Sequence, residues 1–547
     1  MRTQDARSDV AWRRALAALL VLVAAWGVCW AVLTPPFRSP DEQTHLGSVL
    51  RIAYGGGWPP PGEAYVPPIV ADAEREAGWP GDLPGRRIVR PGKPQFVDRT
   101  PSVRAERTRI DAGNAVTPTP PPADAVVDQM TQHPPGWYAV GAALLRVTGL
   151  ADARWDQALL ALRLMDVAML AAAVPFAAAS ARRLTGSWPA ALVAAPLPLF
   201  APGVGNILGS ANNDAIVVIA LAVVTWLSVR VVTGDTRWRT AVALGVVLGL
   251  GLLGKVMPAF AVPGVVAAYA LAPWGGRPAP RPWRVDWRGT FWPRAARCAT
   301  ALGTALAAGG WWWVRNVLVL GAVQPVGRPR DVSRLDIVPA ADVLPTAVRR
   351  VAQSFWGHLS WLEIWLDLRL VVLGSVLLAA AGVVALTVPG TRRGALVLAA
   401  LPAGLTFGVI FNAWQFWRDT DRLVALHGRY VYGGLAALGA LLAVGLWHTV
   451  RRREDRARVT LVVVTGLGLL SGASGLAWAF GAFYRCADDT FGDALARWAA
   501  WSPLSPGWLA ATVGAAAALA VGAVAVVVRS AVVARRSSPV PEAGGRR

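Results

Sequence analysis

The sequence predicts an all-α polytopic integral membrane protein of about 12 transmembrane helices with a large first extracytoplasmic loop. Three observations carry that expectation. The 547 residues are 54% hydrophobic and only 16% charged, with mean hydropathy +0.43, whereas soluble domains carry about 25% charge. Apolar runs repeatedly approach the ~20 residues that cross a hydrocarbon core. The runs are continuous, where a transmembrane β-barrel would show alternating segments of about ten residues.

The expected spans lie at 14–33, 157–179, 187–205, 214–233, 238–254, 256–273, 297–318, 367–389, 395–415, 430–450, 459–481 and 507–528. Residues 1–13 form an N-terminal tail, 34–156 a large loop, 157–528 the remaining spans, and 529–547 a disordered tail. The first run follows Arg13-Arg14 as a signal peptide would. It is too long for one and ends at Thr34-Pro35-Pro36 without a small-x-small site, so it reads as an uncleaved span.

Charge orients the bundle. Short basic connections (Arg182-Arg183, Arg230 with Arg237 and Arg239, Arg277 to Arg297, Arg392-Arg393, Arg451 to Arg458) fall on the same side as both tails. That side holds 27 of the 54 basic residues but only 7 of the 33 acidic ones. The positive-inside rule then places both termini in the cytoplasm. The net charge of +21 is therefore an orientation signal and not a nucleic-acid footprint. Residues 135–150, short and opened by Trp137 and Tyr138, read as an interfacial helix on the outer face. Making them a span would move every later arginine cluster outside.

Residues 34–134 are rich in Pro and Gly with few aliphatics, which predicts a partly irregular flap with little core of its own. Arginine outnumbers lysine 52 to 2, a bias that points to a GC-rich bacterial genome and hence to a bacterial cell (inner) membrane. The three cysteines make no disulfide framework or metal spacing, although a Cys29–Cys486 bridge is conceivable.

Polar groups gather on the outer face. Asp41-Glu42 and His45 follow the first span, and His133 with Tyr138 lies in the same loop. Asn213 and Asp214 sit at an outer turn, Lys255 between two apolar spans, and Arg315 at the end of another. Trp356 and His358 fall in a later outer loop, and Arg429-Tyr430 open a late span. Ionisable groups at the bilayer boundary are functional candidates. Each also has a plainer reading: Asp41-Glu42 as a helix N-terminus, Lys255 as a snorkelling side chain, and the tryptophans as interfacial anchors. No Walker A, GxSxG or HExxH motif occurs.

Five of these segments occur in an order that resembles the bacterial membrane proteins of the domain of unknown function 2142 family. They are Asp41-Glu42-x-x-His45, His133-Pro134-Pro135-x-x-Tyr138, Asn212-x-Asp214, Ser354 to Gly357, and Gly428-Arg429-Tyr430. Two positions depart from it: Asn213 stands where a proline is expected, and Ser360 where glycine is common. The resemblance implies a GT-C glycosyltransferase fold and transfer from a polyprenyl-phosphate-linked donor, but neither the sugar nor the acceptor; the expected unit is hexosyl or pentosyl. The acceptor would be an envelope glycan, glycolipid or protein, the reaction would take place on the extracytoplasmic face, and the outcome would be inverting. Asp41 matches the superfamily's catalytic acid, with Glu42 beside it to orient the acceptor or hold a divalent cation (Mg or Mn); no cofactor is certain. His45, His133, Tyr138, Asn213, Asp214, Lys255, Arg315, Trp356, His358, Arg429 and Tyr430 are the candidate substrate contacts. A carboxylate partly desolvated at the interface is expected to have a raised pKa, as a general base needs.

Two other functions fit a polytopic protein. A transporter or flippase of lipid-linked precursors needs ionisable groups deep in the spans, for which Asp166 beside Arg163 is the candidate. A scaffold of an envelope pathway leaves Asp41-Glu42 and Lys255 without roles.

Overall fold

The computed structural model describes residues 2–78, 101–273, 289–327, 332–333 and 335–536. Helix α1 (Arg2–Leu33) leads into a long loop carrying α2 (Glu42–Ala53), α3 (Pro68–Glu76) and α4 (Gly136–Val147). There follow α5 (Trp155–Thr185), α6 (Trp188–Leu192), α7 (Pro202–Leu208), α8 (Asp214–Val232), α9 (Trp238–Leu252), α10 (Val262–Leu271), α11 (Phe291–Ala305) and α12 (Trp311–Leu320). The second half contains α13 (Ala340–Trp356), a hairpin of β1 (His358–Leu359) and β2 (Ile364–Trp365), and α14 (Leu368–Thr387). It ends with α15 (Arg392–Thr420), α16 (Leu435–Thr449), α17 (Glu454–Tyr484), α18 (Phe491–Trp501) and α19 (Pro506–Arg536).

Among the described residues, eight helical segments are long and apolar enough to cross a membrane: within α1, α5, α8, α14, α15, Gly428–Thr449, α17 and α19. The other four expected spans are interrupted or short for identifiable reasons. Pro189, Pro196, Pro198 and Pro202 break 187–205 into α6, a 3-10 turn and α7. Pro258 and Pro263 divide 256–273 into a 3-10 turn and α10. A π-helical turn, Leu306–Gly310, joins α11 to α12. There a Cβ on Gly309 would overlap the carbonyl oxygen of Gly249, so only glycine lets α9 pack this closely. The fourth, α9, is apolar throughout but only 15 residues long.

Helix α1 packs on α5 and α19, while α8 packs on α5 and α9 and α16 packs on α5 and α14; these contacts bury one large apolar core. A second apolar cluster lies beneath the first long loop. It joins Phe37, Leu46, Val49, Ile69, Ile110 and Met130 to Trp137, Tyr138 and Leu159. The expectation of a flap with little core is therefore corrected, because sparse apolar residues from distant stretches are pooled with those of α4 and α5. Helix α4 buries Trp137, Tyr138, Gly141, Ala142 and Leu145 and packs on α2, leaving Val140 and Val147 exposed. The expected tail from 529 is helical as far as Arg536, and residues 537–547 lie outside the described residues. Cys29, Cys298 and Cys486 are not joined in disulfides, so the conceivable Cys29–Cys486 bridge is not made.

The first loop is also tied to the chain's last connection. Arg104 donates to the carbonyls of Ala499 (2.6 Å) and Ser502 (3.1 Å), and Arg107 to Ala500 (2.9 Å) and Ser502 (3.1 Å). Arg154 donates to Pro503 (3.1 Å). These carbonyls end α18, where cations satisfy orphan acceptors and complement the helix dipole.

Candidate functional site

The site begins in the turn between α1 and α2. Phe37 and Asp41 both adopt the left-handed conformation (φ 64° and 68°), which costs energy for a non-glycine residue and collects at functional positions. Glu42 holds the turn in place. Its carboxylate accepts from the Phe37 N–H (2.8 Å), the Ala211 N–H (2.9 Å), and Arg163 Nε and Nη2 (2.8 and 2.7 Å). Arg163, projecting from α5, also donates to the carbonyls of Ala31 (2.8 Å), Thr34 (2.6 Å) and Pro35 (3.2 Å). Both side chains are buried.

Asp41 is the N-cap residue of α2, yet its side chain makes no capping hydrogen bond. It accepts instead from Arg429 Nη2 at 2.7 Å. Arg429 also donates through Nη1 to the Pro40 carbonyl (3.3 Å), and its Nε lies 3.6 Å from Asp214 Oδ2. The other oxygen of Asp214 accepts from Lys255 Nζ at 2.6 Å. The Tyr430 ring sits between the cations, 4.8 Å from the Lys255 ammonium and 5.2 Å from the Arg429 guanidinium. Two aspartates and two cations thus form one alternating, largely buried array.

Turn chemistry brings these groups together. Asn212 Oδ1 accepts from the Asp214 N–H (2.9 Å), closing an Asx turn at the start of α8. Asn213 Nδ2 donates to the Gly254 carbonyl (3.2 Å), which sets the Lys255 turn against the Asp214 turn. The Gly136 N–H donates to the Leu253 carbonyl (2.9 Å), and a Cβ at Gly136 would fall 2.5 Å from that oxygen, so the approach requires glycine. One helical turn after Asp41, His45 Nδ1 shares a hydrogen bond with Tyr138 Oη (3.0 Å). Tyr138 packs against Trp58 at 4.7 Å, whose Nε1 donates to the His133 carbonyl (3.0 Å).

The electrostatics differ from the expected raised carboxylate. Burial pushes Asp41 up, but Arg429, His45 and Lys255 outweigh it and hold the carboxyl at about 2. Asp41 is therefore ionised, half-buried and a weak base while Arg429 is attached. Burial also keeps the nearby imidazoles neutral: His45 falls to about 3 and His358 to about 4, and His133 and His427 fall well below their ordinary value. On acidification the unfolded chain takes up protons that these folded histidines refuse. Each then withdraws about 1.4 kcal/mol of stability per pH unit below ~6.5, until its folded value is reached. The thermal midpoint is expected to fall clearly between pH 7 and pH 5, and His45→Gln should flatten that slope. The Asp41 contribution has the opposite sign of shift and is lost only below ~4.

The fold brings together Asp41, His45, His133, Tyr138, Asn213, Asp214, Lys255, Arg429 and Tyr430, while Glu42 stands immediately behind them in the Arg163 lock. Arg315 is not brought in: it contacts Asn316 Oδ1 (3.2 Å) and the Trp312 ring (5.2 Å) on α12. Trp356 donates to Ser375 Oγ (2.8 Å) and packs between α13 and α14. His358 lies against the Trp365 ring at 3.5 Å and is 6.4 Å from His427. Ser360, where glycine is expected, sits at φ 58°, a conformation that explains the preference.

Asp166 accepts from Trp137 Nε1 and from the Asn212 N–H, both at 2.8 Å, which places it in the scaffold behind the site. Among the described residues, no group of three or more His, Cys, Asp or Glu side chains is arranged to hold a metal ion. With Glu42 committed to Arg163 and both aspartates to cations, these residues do not fit a divalent cation. Sequence reasoning missed the roles of Arg163 and Trp58. A lone arginine within an apolar span was the available signal for the first.

A profile of the dolichyl-phosphate-mannose-protein mannosyltransferase family matches residues 132–283, a minority of the chain. No curated protein matches the sequence. Among solved structures, the chain is similar to ArnT from Cupriavidus metallidurans bound to undecaprenyl phosphate, at 14% identity and TM-score 0.47, over 93% of this chain and 77% of that one. It is also similar to the archaeal oligosaccharyltransferase AglB from Archaeoglobus fulgidus in complex with an inhibitory peptide and a dolichol-phosphate. That likeness has 12% identity and TM-score 0.43, over 88% of this chain and 57% of AglB. For the arabinofuranosyltransferase AftD from Mycobacteria the identity is 19% and the TM-score 0.36, over 63% of this chain and 22% of that one. The chain thus spans less than two thirds of AglB and of AftD.

Proposed function

We propose that this protein is a GT-C-type membrane glycosyltransferase that moves a sugar from a polyprenyl-phosphate donor to an envelope glycan, lipid or protein acceptor. The observation that carries the reading is the Asp41–Arg429–Asp214–Lys255 array, two carboxylates and two cations held together where the spans meet the first loop. The mannosyltransferase family match, which includes His133, Tyr138, Asp214 and Lys255, and the ordered motifs support it.

In this reading the donor phosphate competes with the aspartates for Arg429 and Lys255. Arginine binds phosphate in bidentate fashion, and a fixed cation stabilises the charge that develops as the glycosyl–oxygen bond breaks. Arg429 drawn to the phosphate leaves Asp41 a stronger base. Asp41 then accepts the proton of an acceptor hydroxyl whose oxygen bonds the anomeric carbon from the opposite face. The lipid phosphate departs with the electron pair, and the sugar is inverted. Glu42, through Arg163, holds the Asp41 turn rigid during this step. The charge distribution supports cytoplasmic termini and an extracytoplasmic site, and the arginine bias supports a bacterial inner membrane.

The test is transfer of radiolabelled sugar by the purified protein from a panel of polyprenyl-phosphate donors to total envelope acceptors. Transfer from one donor is the expected outcome. Movement of lipid-linked donor across a vesicle membrane, without transfer from any donor, would replace this reading with transport.

A further inference from the structure

We propose that His427 is a further substrate-contacting residue, placing its Nε2–H on an oxygen of the donor's phosphate beside Arg429 and Lys255; the inference rests on the glycosyltransferase reading above. The hydrogen bonding fixes the tautomer. The Arg429 N–H donates to His427 Nδ1 at 3.0 Å, so that nitrogen is the acceptor and caps the 3-10 turn Gly428–Gly434. In a neutral imidazole the proton must then reside on Nε2. Burial, the Arg429 charge and His358 keep the ring neutral. Among the described residues Nε2–H is buried and has no hydrogen-bond partner, and the residue as a whole is 5% exposed. A buried donor left unmet is costly, and each case in a native fold calls for an explanation.

The surroundings supply one. The His427 ring lies 6.4 Å from the Tyr430 ring, the ring that also receives the Lys255 and Arg429 cations. Asp41 and Lys255 both act on His427 electrostatically, so the imidazole shares the field of the charged array. Lys255 and Arg429 already have aspartate partners, whereas Nε2–H is free to receive a new acceptor. A phosphate bridging the two cations provides oxygens of the required charge.

Two substitutions separate the ring's two nitrogens. His427→Asn keeps an oxygen near the Nδ1 position, able to cap the Arg429 N–H, and removes the Nε2 donor. His427→Gln places an amide N–H near the Nε2 position. Binding of farnesyl phosphate, inorganic phosphate and farnesol to the full-length protein in detergent is measured beside the thermal midpoint. The Asn variant is expected to keep the wild-type midpoint and to lose roughly 10- to 100-fold in farnesyl phosphate affinity, the effect of a hydrogen bond to a charged group. The Gln variant is expected to recover most of that loss. Inorganic phosphate should show the same pattern if the headgroup alone is read, and no pattern if the lipid must position it. Farnesol affinity should not change.

Equal affinity of wild type and Asn variant for farnesyl phosphate overturns the inference and leaves the glycosyltransferase reading standing. An equal loss for farnesol overturns it too, since the contact would then be to the chain. An Asn variant that fails to fold shows that the ring's role is structural and overturns it likewise. A wild-type protein that binds neither phosphate compound removes the reading on which the inference rests.

Discussion

Asp41→Asn is expected to lower sugar transfer by about 10²- to 10⁴-fold, the range for loss of a general base, while tightening the binding of a lipid phosphate. The opposed signs follow from one contact. Arg429 spends the resting state on Asp41 at 2.7 Å, and a neutral amide releases it to the phosphate. The substitution is structurally mild, because Asp41 sits at φ 68° with no capping bond to lose and asparagine tolerates that conformation. An unchanged melting midpoint beside lost transfer would assign the effect to chemistry. Transfer that persists at the wild-type rate would move the base elsewhere, with Asp214 and Glu42 next to be tested.

Arg163→Leu is expected to cost ~3–5 kcal/mol of stability, as removal of one partner from a buried ion pair does. It strands the Glu42 carboxylate, 0% exposed, and orphans the carbonyls of Ala31, Thr34 and Pro35. The Asp41 turn would lose its backing, so transfer should fall with stability. The double variant Arg163→Leu/Glu42→Gln should be less destabilised than Arg163→Leu alone, because the uncompensated charge is gone while an acceptor for the Phe37 N–H remains. Thermal unfolding in detergent checks both. The exposed pair Arg75–Asp72 provides the control: breaking it should leave the midpoint unchanged.

Much of the site was legible because its residues violate the composition of their surroundings. Lys255 between apolar runs, Asp41 just past the first span and Arg429 at the head of a late one are each conspicuous in a chain with few charges. Their convergence followed once the arginine clusters had oriented the spans. What remained hidden was pairing. Glu42 and Asp41 are adjacent and chemically alike, yet one meets Arg163 and the other Arg429, and no local spacing distinguishes them. Arg315 illustrates the converse, since it sits at the end of a predicted span as Arg429 sits at the head of one, but α12 turns it toward Asn316 and Trp312. The twelve-span reading located apolar mass correctly and overstated helix continuity, because prolines and a π turn interrupt three of the segments and a fourth, α9, is only 15 residues long. The first loop's core escaped notice because it is assembled from short groups of residues on segments tens of positions apart.

The charge array also sets a schedule for biogenesis. Asp41 emerges from the ribosome with the first helix, but Arg429 follows 388 residues later. At about 5–20 residues per second, the carboxylate waits roughly 20–80 s for its counter-ion. Glu42 waits for Arg163 across 121 residues, roughly 6–24 s at the same rate, so this lock on the turn can form well before Asp41 meets Arg429. Until then the Asp41 carboxylate lacks the guanidinium that it meets in the folded protein. A chain stalled before residue 429 would hold that state indefinitely, and quality control acting on membrane insertion would have a distinct feature to detect.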